Sequence, residues 1–350
     1  MLFVELAIGS LLIIAAGSVL TRYGDRIADK TGLGGAWVGL VLLAFATSLP
    51  ELVTCLGAVT IPKQPDLVFG DILGSNAFNL LIVVVLDVMC GRQSVLVQVG
   101  RRAMLSASLG LVMVVLVVIP LALIQIGGPL AAAAEWMWVA SPVLFLTYLF
   151  AMRLIFRDEK AAMAESARGE AGPKPTGDIK REAIGFGICA AVILGAGLWL
   201  SSSADRLAEY EFHVRGGTLV LGHTFVGALL LAIVTSLPEL VVTISSFALG
   251  AHAMALGNLL GSNIFNVAII AVADVGHRIV QGKTIFLGGA EPLKPVHLLM
   301  ALVPLLMTAV LMVGLAGRRQ KRRLPAGWET VLLVLIYLAG IYLVFRGSAG

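Results

Sequence analysis

Ten apolar stretches follow one another along the chain, at roughly 2–21, 35–60, 66–90, 103–125, 135–156, 183–203, 220–248, 252–275, 295–316 and 328–346. An α-helix needs about 20 apolar residues to cross the hydrocarbon core, whereas a membrane β-strand needs only ~10 with alternating polarity. The pattern predicts an all-α integral membrane protein of ten transmembrane helices. Polar and helix-breaking clusters punctuate it. Pro62, Lys63 and Pro65 divide the second span from the third, Gly127-Gly128-Pro129 the fourth from the fifth, and Arg318 to Arg323 the ninth from the tenth. The first span has no basic segment ahead of it and is longer than the apolar part of a secretory signal, so it reads as a retained helix.

Composition agrees. Apolar residues make up 59 % of the chain and charged residues 13 %, against about a quarter charged in soluble domains. Basic residues give the orientation. With the N-terminus outside, the loops on the inner side hold 18 of the 25 Lys and Arg, seven of them between Arg153 and Arg181. Both termini are expected outside a cell inner (plasma) membrane, with residues 157–182 as a cytoplasmic linker between an N-terminal five-helix unit, 1–156, and a C-terminal one, 183–350. These loops account for the net charge of +4. Membrane lipid, not nucleic acid, is the partner this implies.

The apolar background makes one repeated segment conspicuous. Thr47-Ser48-Leu49-Pro50-Glu51-Leu52-Val53 returns as Thr235-Ser236-Leu237-Pro238-Glu239-Leu240-Val241. Leu73-Gly74-Ser75-Asn76, with Phe78 and Asn79, returns as Leu260-Gly261-Ser262-Asn263, with Phe265 and Asn266. A charge at the bilayer centre costs at least about 2.5 kcal/mol, so Glu51 and Glu239 are functional-site candidates. Five spans per half would insert the second copy upside down. Inverted repeats give two near-equivalent packings, the basis of alternating access. A duplicated structural bundle would keep its apolar pattern, not its Glu and Asn.

The repeated residues share one chemistry. Proline cannot donate to the carbonyl four residues back, which here frees Ala46 and Val234. Thr47, Ser48 and Glu51, and likewise Thr235, Ser236 and Glu239, add hydroxyl and carboxylate oxygens within about one turn. Ser75 and Asn79 are four apart and share a helix face, as do Ser262 and Asn266. Gly74 and Gly261 permit close helix approach. Taken alone, the Gly-Ser-Asn block fits a packing motif, the role expected of Asn76 and Asn263. Beside a Pro-Glu turn in both halves, it reads as ion-ligating. Hard cations such as Na+ and Ca2+ take all-oxygen shells, and no His or Cys stands close enough in sequence to suggest a transition metal.

These motifs resemble those of the cation/Ca2+ exchanger superfamily, on its Na+/Ca2+ exchanger branch. The two repeats match at about 35–90 and 223–275. The resemblance implies a Na+/Ca2+ antiporter without cofactor, active as a single chain, with Ca2+ and Na+ held at Glu51 and Glu239. It implies Thr47, Ser48, Glu51, Ser75, Asn79, Thr235, Ser236, Glu239, Ser262 and Asn266 as ligands. It also implies the carbonyls of Ala44 and Ala232, where the proline argument gives Ala46 and Val234. Exchangers of this kind often carry an aspartate at one of the positions filled here by Asn79 and Asn266, so only two carboxylates are expected at the centre. Asp71 continues the stripe of Ser75 and Asn79 and is either an auxiliary ligand or an interfacial acid at a helix start.

Other residues rank below these. Asp87 and Asp274 are expected to be interfacial anchors, with Arg92 and Arg278 nearby. Cys55, Cys90 and Cys189 read as small packing residues. His223 could titrate at a membrane face, and Trp136, Trp138 and Trp328 fit an aromatic belt. A cation/H+ exchanger using Glu51 and Glu239 as proton carriers is the alternative within transport. An intramembrane enzyme lacks a nucleophile–His pair or a His cluster.

Overall fold

The computed structural model describes residues 2–60, 65–91, 95–127, 138–169, 178–208, 211–214, 217–220, 228–288, 293–317 and 327–348. Pro62, Lys63, Arg92, Gly128, Pro129, Trp136, His223 and the cluster from Arg318 to Arg323 lie outside them. Twelve helices are defined: α1 (Leu2–Thr31), α2 (Gly35–Thr47), α3 (Leu49–Thr60), α4 (Pro65–Met89), α5 (Val95–Ile126), α6 (Ala140–Gly169), α7 (Lys180–Ala208), α8 (Ala228–Thr235), α9 (Leu237–Ala248), α10 (His252–Gln281), α11 (Val296–Gly317) and α12 (Trp328–Ser348). Within α2, Val38–Leu43 winds as a π-helix.

Among the described residues eight helices are long and apolar enough to span a membrane, and nine spans result if the bent pair α2–α3 counts as one. The sequence predicts ten. The difference falls in the expected span 220–248, where residues 221–227 are not described and the remainder is two short helices meeting at Ser236. The described residues are otherwise helical, with one short two-stranded antiparallel hairpin, β1 (Glu211–Val214) with β2 (Gly217–Val220), which pairs Glu211 with Val220. Helix α6 runs to Gly169, well into the segment read as the linker.

Helices α4 and α10 are buried over most of their length and form the centre. Their apolar residues cover all sides, as buried helices require. The outer helices turn Leu11, Ile14, Leu146, Phe150, Leu335 and Leu338 outward, which suits a surface solvated by lipid. The first helices of the two halves, α1 and α7, pack antiparallel. Glu5 near the start of α1 pairs with Arg206 near the end of α7, and Lys30 at the end of α1 pairs with Glu182 at the start of α7, at 2.9 Å.

Helices α2 and α10 cross in close contact. A Cβ at Gly261 would lie 2.1 Å from the Leu40 carbonyl oxygen, and one at Gly39 would lie 2.2 Å from that of Met254. The helices therefore touch backbone to backbone, as small residues in membranes allow. This contact sets Thr47 of α2 beside Ser262 of α10.

Candidate functional site

Both Pro-Glu motifs break their helices at the serine. Ser48 has φ −90° and ψ 9°, and Ser236 has φ −84° and ψ 6°. After the first break the axis turns by 42°. Each proline thus stands in the first turn of a new helix, where its missing N–H is not needed, and not inside a continuous one. Glu51 and Glu239 consequently occupy the first turns of α3 and α9. Helix N-termini there favour negative charge.

The break also decides which carbonyl faces the motif hydroxyls. The Ala44 oxygen accepts from the Ser48 amide at 3.0 Å and from the Thr47 hydroxyl at 3.2 Å. The Ala232 oxygen accepts from the Ser236 amide at 3.1 Å and from the Thr235 hydroxyl at 3.3 Å. Ala44 and Ala232 stand against the cluster in this way.

All ten side chains expected as ligands are buried, each at 0 % exposure: Thr47, Ser48, Glu51, Ser75, Asn79, Thr235, Ser236, Glu239, Ser262 and Asn266. Contacts between the halves bring them together in reciprocal pairs. Thr47 Oγ1 meets Ser262 Oγ at 3.3 Å, and Thr235 Oγ1 meets Ser75 Oγ at 3.4 Å. Asn79 Nδ2 donates to Asn263 Oδ1 at 3.0 Å, and Asn266 Nδ2 donates to Asn76 Oδ1 at 3.1 Å. Asn76 and Asn263 close the pattern by donating to each other's backbone carbonyls, at 3.3 and 3.2 Å. Each bond has its counterpart with the halves exchanged, as a local two-fold relation requires.

The amide bonds have a consequence for ligation. With their nitrogens tied to the opposite half, Asn79 and Asn266 keep their oxygens free. Among the described residues, Asn79 Oδ1, Asn266 Oδ1, both Glu51 carboxylate oxygens, Glu239 Oε2 and Ser236 Oγ are buried without a hydrogen-bond partner. A buried polar atom left unsatisfied costs about 1–3 kcal/mol, so six on one set of residues call for a ligand. Every one is an oxygen. No group of three or more His, Cys, Asp or Glu among the described residues forms a metal cluster. The donor set suits hard cations.

The symmetry fails at two places. Ser48 Oγ donates to Glu239 Oε1 at 3.0 Å, whereas Ser236 Oγ makes no matching bond to Glu51. Asp71 and Asn258 are the second mismatch. Asp71 is 2 % exposed, and its Oδ1 accepts from Thr235 Oγ1 at 3.1 Å. Asn258 Oδ1 takes the corresponding bond from Thr47 Oγ1 at 3.4 Å, while its nitrogen donates to Thr243 and to the Glu239 carbonyl. The reading of Asp71 as an interfacial helix-start acid is therefore overturned: α4 begins at Pro65, which carries Asp71 a turn and a half inward. Asp71 thereby stands against Thr235, one of the residues expected as ligands, while its Oδ2 accepts from Cys55 Sγ at 3.9 Å.

Asp274 and Asp87 anchor neighbouring elements, but from buried positions. Asp274 accepts from Ser141, from Arg278 at 2.7 Å, and from the Thr284 hydroxyl and Ile285 amide at 2.6 and 2.8 Å. Asp87 accepts from Thr330 at 2.6 Å. Cys55 and Cys189 are buried free thiols, while Trp138 and Trp328 are about half exposed near helix ends.

A family model described as "Sodium/calcium exchanger protein" matches residues 1–157 and 182–346. Inner membrane protein YrbG of Escherichia coli (strain K12) is 27 % identical over 271 residues, 76 % of each chain. Sodium/calcium exchanger MaX1 of Methanosarcina acetivorans is 25 % identical over 373 residues, 98 % of each. The solved sodium/calcium exchanger from Methanococcus jannaschii shares the fold, with a TM-score of 0.66 at 19 % identity over 98 % of this chain and 99 % of that one.

Proposed function

The chain belongs to the sodium/calcium exchanger protein family, and on that premise we propose that it is a secondary antiporter that exchanges Na+ for Ca2+ by alternating access. Its cargo ions bind at Thr47, Ser48, Glu51, Ser75, Asn79, Thr235, Ser236, Glu239, Ser262 and Asn266, with the carbonyls of Ala44 and Ala232. No cofactor takes part. The observation that carries this reading is that six of the nine buried, unpartnered side-chain atoms among the described residues are oxygens of this one set. Ca2+ takes six to eight oxygen ligands, and two glutamates in a dry site offset its charge.

Two halves of opposite orientation supply the movement. The antiparallel pairing of α1 with α7 and the reciprocal bonds between α4 and α10 support inverted repeats. Rocking one half against the other would open the cluster to each side in turn. The ligands all come from one chain, which supports function as a monomer. Both termini face outward and residues 157–182 face the cytoplasm, a reading supported by the excess of basic residues on that side. A cysteine at Ser166 should then resist an impermeant thiol reagent in intact cells and react after permeabilisation, whereas one at Ser348 should react at once. The opposite pattern refutes this orientation.

The same unpartnered Glu51 oxygens also suit a proton carrier, the second reading. One experiment separates the two: uptake of radiolabelled Ca2+ into Na+-loaded proteoliposomes with pH clamped on both sides. Uptake that needs the outward Na+ gradient supports Na+ coupling. Uptake that ignores Na+ and follows an imposed pH gradient rejects it.

A further inference from the structure

We infer that Asp71 supplies a third negative charge to the transport site through its hydrogen bond to Thr235, at the Glu51–Thr235 end and absent from the other. The inference rests on the antiporter reading and goes beyond it by assigning the ion load. Thr235 Oγ1 lies closer to Asp71 Oδ1, at 3.1 Å, than to the Ala232 carbonyl or Ser75, at 3.3 and 3.4 Å. This bond joins Asp71 to one of the hydroxyls of the cluster. Glu51 stands in the same buried cluster with neither carboxylate oxygen partnered. Two carboxylates in one dry site are held only with compensating positive charge.

The opposite end lacks this charge. There Asn258 takes the matching place, and its nitrogen is committed to Thr243 at 3.0 Å and to the Glu239 carbonyl at 3.4 Å. Asn79 and Asn266 carry no charge, so Asp71 sets the total. With two carboxylates, one Ca2+ and two Na+ are equivalent loads, and exchange moves no net charge. With three, neutralisation takes a third Na+, one Ca2+ leaves a negative charge over, and exchange becomes electrogenic.

The variant D71N tests this at small structural risk, because asparagine already fills the matching position. Two readouts are taken at fixed pH: radiolabelled Na+ bound per purified protein at saturation, and Na+-driven Ca2+ flux under an imposed K+ diffusion potential. In D71N the bound Na+ should fall by about one ion per chain and the voltage dependence should vanish. D71E, which keeps the charge, should retain both. A D71N protein with the wild-type Na+ count and voltage dependence overturns the inference, even if it melts at a lower temperature. Loss of one bound Na+ in D71N from a wild type that shows no Na+-driven Ca2+ flux would instead sustain the role of Asp71 and defeat the antiporter reading.

Discussion

The two ends of the buried cluster share their backbone and differ in their chemistry. At one end Glu239 accepts from Ser48, Asn258 faces Thr47, and Gly261 lies against the Leu40 backbone. At the other Glu51 has no hydrogen-bond partner, Asp71 faces Thr235, and Gly74 meets only the Ala232 side chain, with its Cβ position 3.0 Å away. The serine breaks, the Ala carbonyl contacts and the asparagine lattice are the same at both. Duplication therefore accounts for where the oxygens are, and a few single residues account for how each end is charged and packed.

The largest effects should come from the charges the two ends have in common. Glu51→Gln or Glu239→Gln should each lower Ca2+ flux by about 100-fold or more, since removing one partner of a buried ionic arrangement costs about 3 kcal/mol or more. Flux assays on protein verified as inserted and folded check this. Near-normal flux from either variant would mean that the two ends do not share one ion.

Packing should separate the ends next. Gly261→Ala places a methyl group against backbone that cannot give way, and should destabilise by about 1–3 kcal/mol. Gly74→Ala meets the Ala232 Cβ at 3.0 Å, a looser approach than at Gly261, and should cost about 1 kcal/mol. Thermal unfolding in detergent reads the difference, and equal losses would erase the packing asymmetry. A smaller and more selective effect is expected from Asn79→Asp or Asn266→Asp. An added carboxylate beside unpartnered oxygens should tighten Ca2+ binding by about tenfold, while the lost amide donor to Asn263 or Asn76 lowers the melting temperature in ion-free buffer. Wild-type affinity and coupling in both variants would place these positions outside the ion site.

The finest comparison is between the serines. Ser48→Ala removes a bond to a buried carboxylate and should cost about 1 kcal/mol even in ion-free buffer. Ser236→Ala removes a hydroxyl that has no partner, and should leave ion-free stability unchanged while weakening ion binding. If the two variants lose equal stability without ions, the difference between Glu239 and Glu51 does not persist in solution.

Much of the buried cluster was legible in the chain because its polar residues come in motifs and a charge in an apolar run has few other uses. Thr47 to Glu51 and Thr235 to Glu239 stand out for that reason. The burial of Asp71 against Thr235 was only half visible. The stripe it forms with Ser75 and Asn79 pointed inward, but its depth depends on where α4 begins, and a run broken by Pro62 and Pro65 leaves that open. The serine breaks were hidden for a related reason, because proline signals a disturbed helix without saying whether the helix bends or restarts. The contact of Gly261 with Leu40 joins residues far apart in sequence, and nothing local announces it. Asp274 looked interfacial because Arg278 follows it by one turn, yet its other donors, Ser141, Thr284 and Ile285, arrive from segments the pattern could not align.

Under the proposed ligand set, the asparagine lattice makes ion affinity a property of contact between the halves. Asn79 is oriented by Asn263, and Asn266 by Asn76, so each half holds the other's ligand in position. Parting the halves would release both amides to rotate and would remove two oxygens from the shell at once. Occupancy and closure are then linked quantities: whatever free energy the ion gains from those oxygens is also the free energy by which it holds the interface shut.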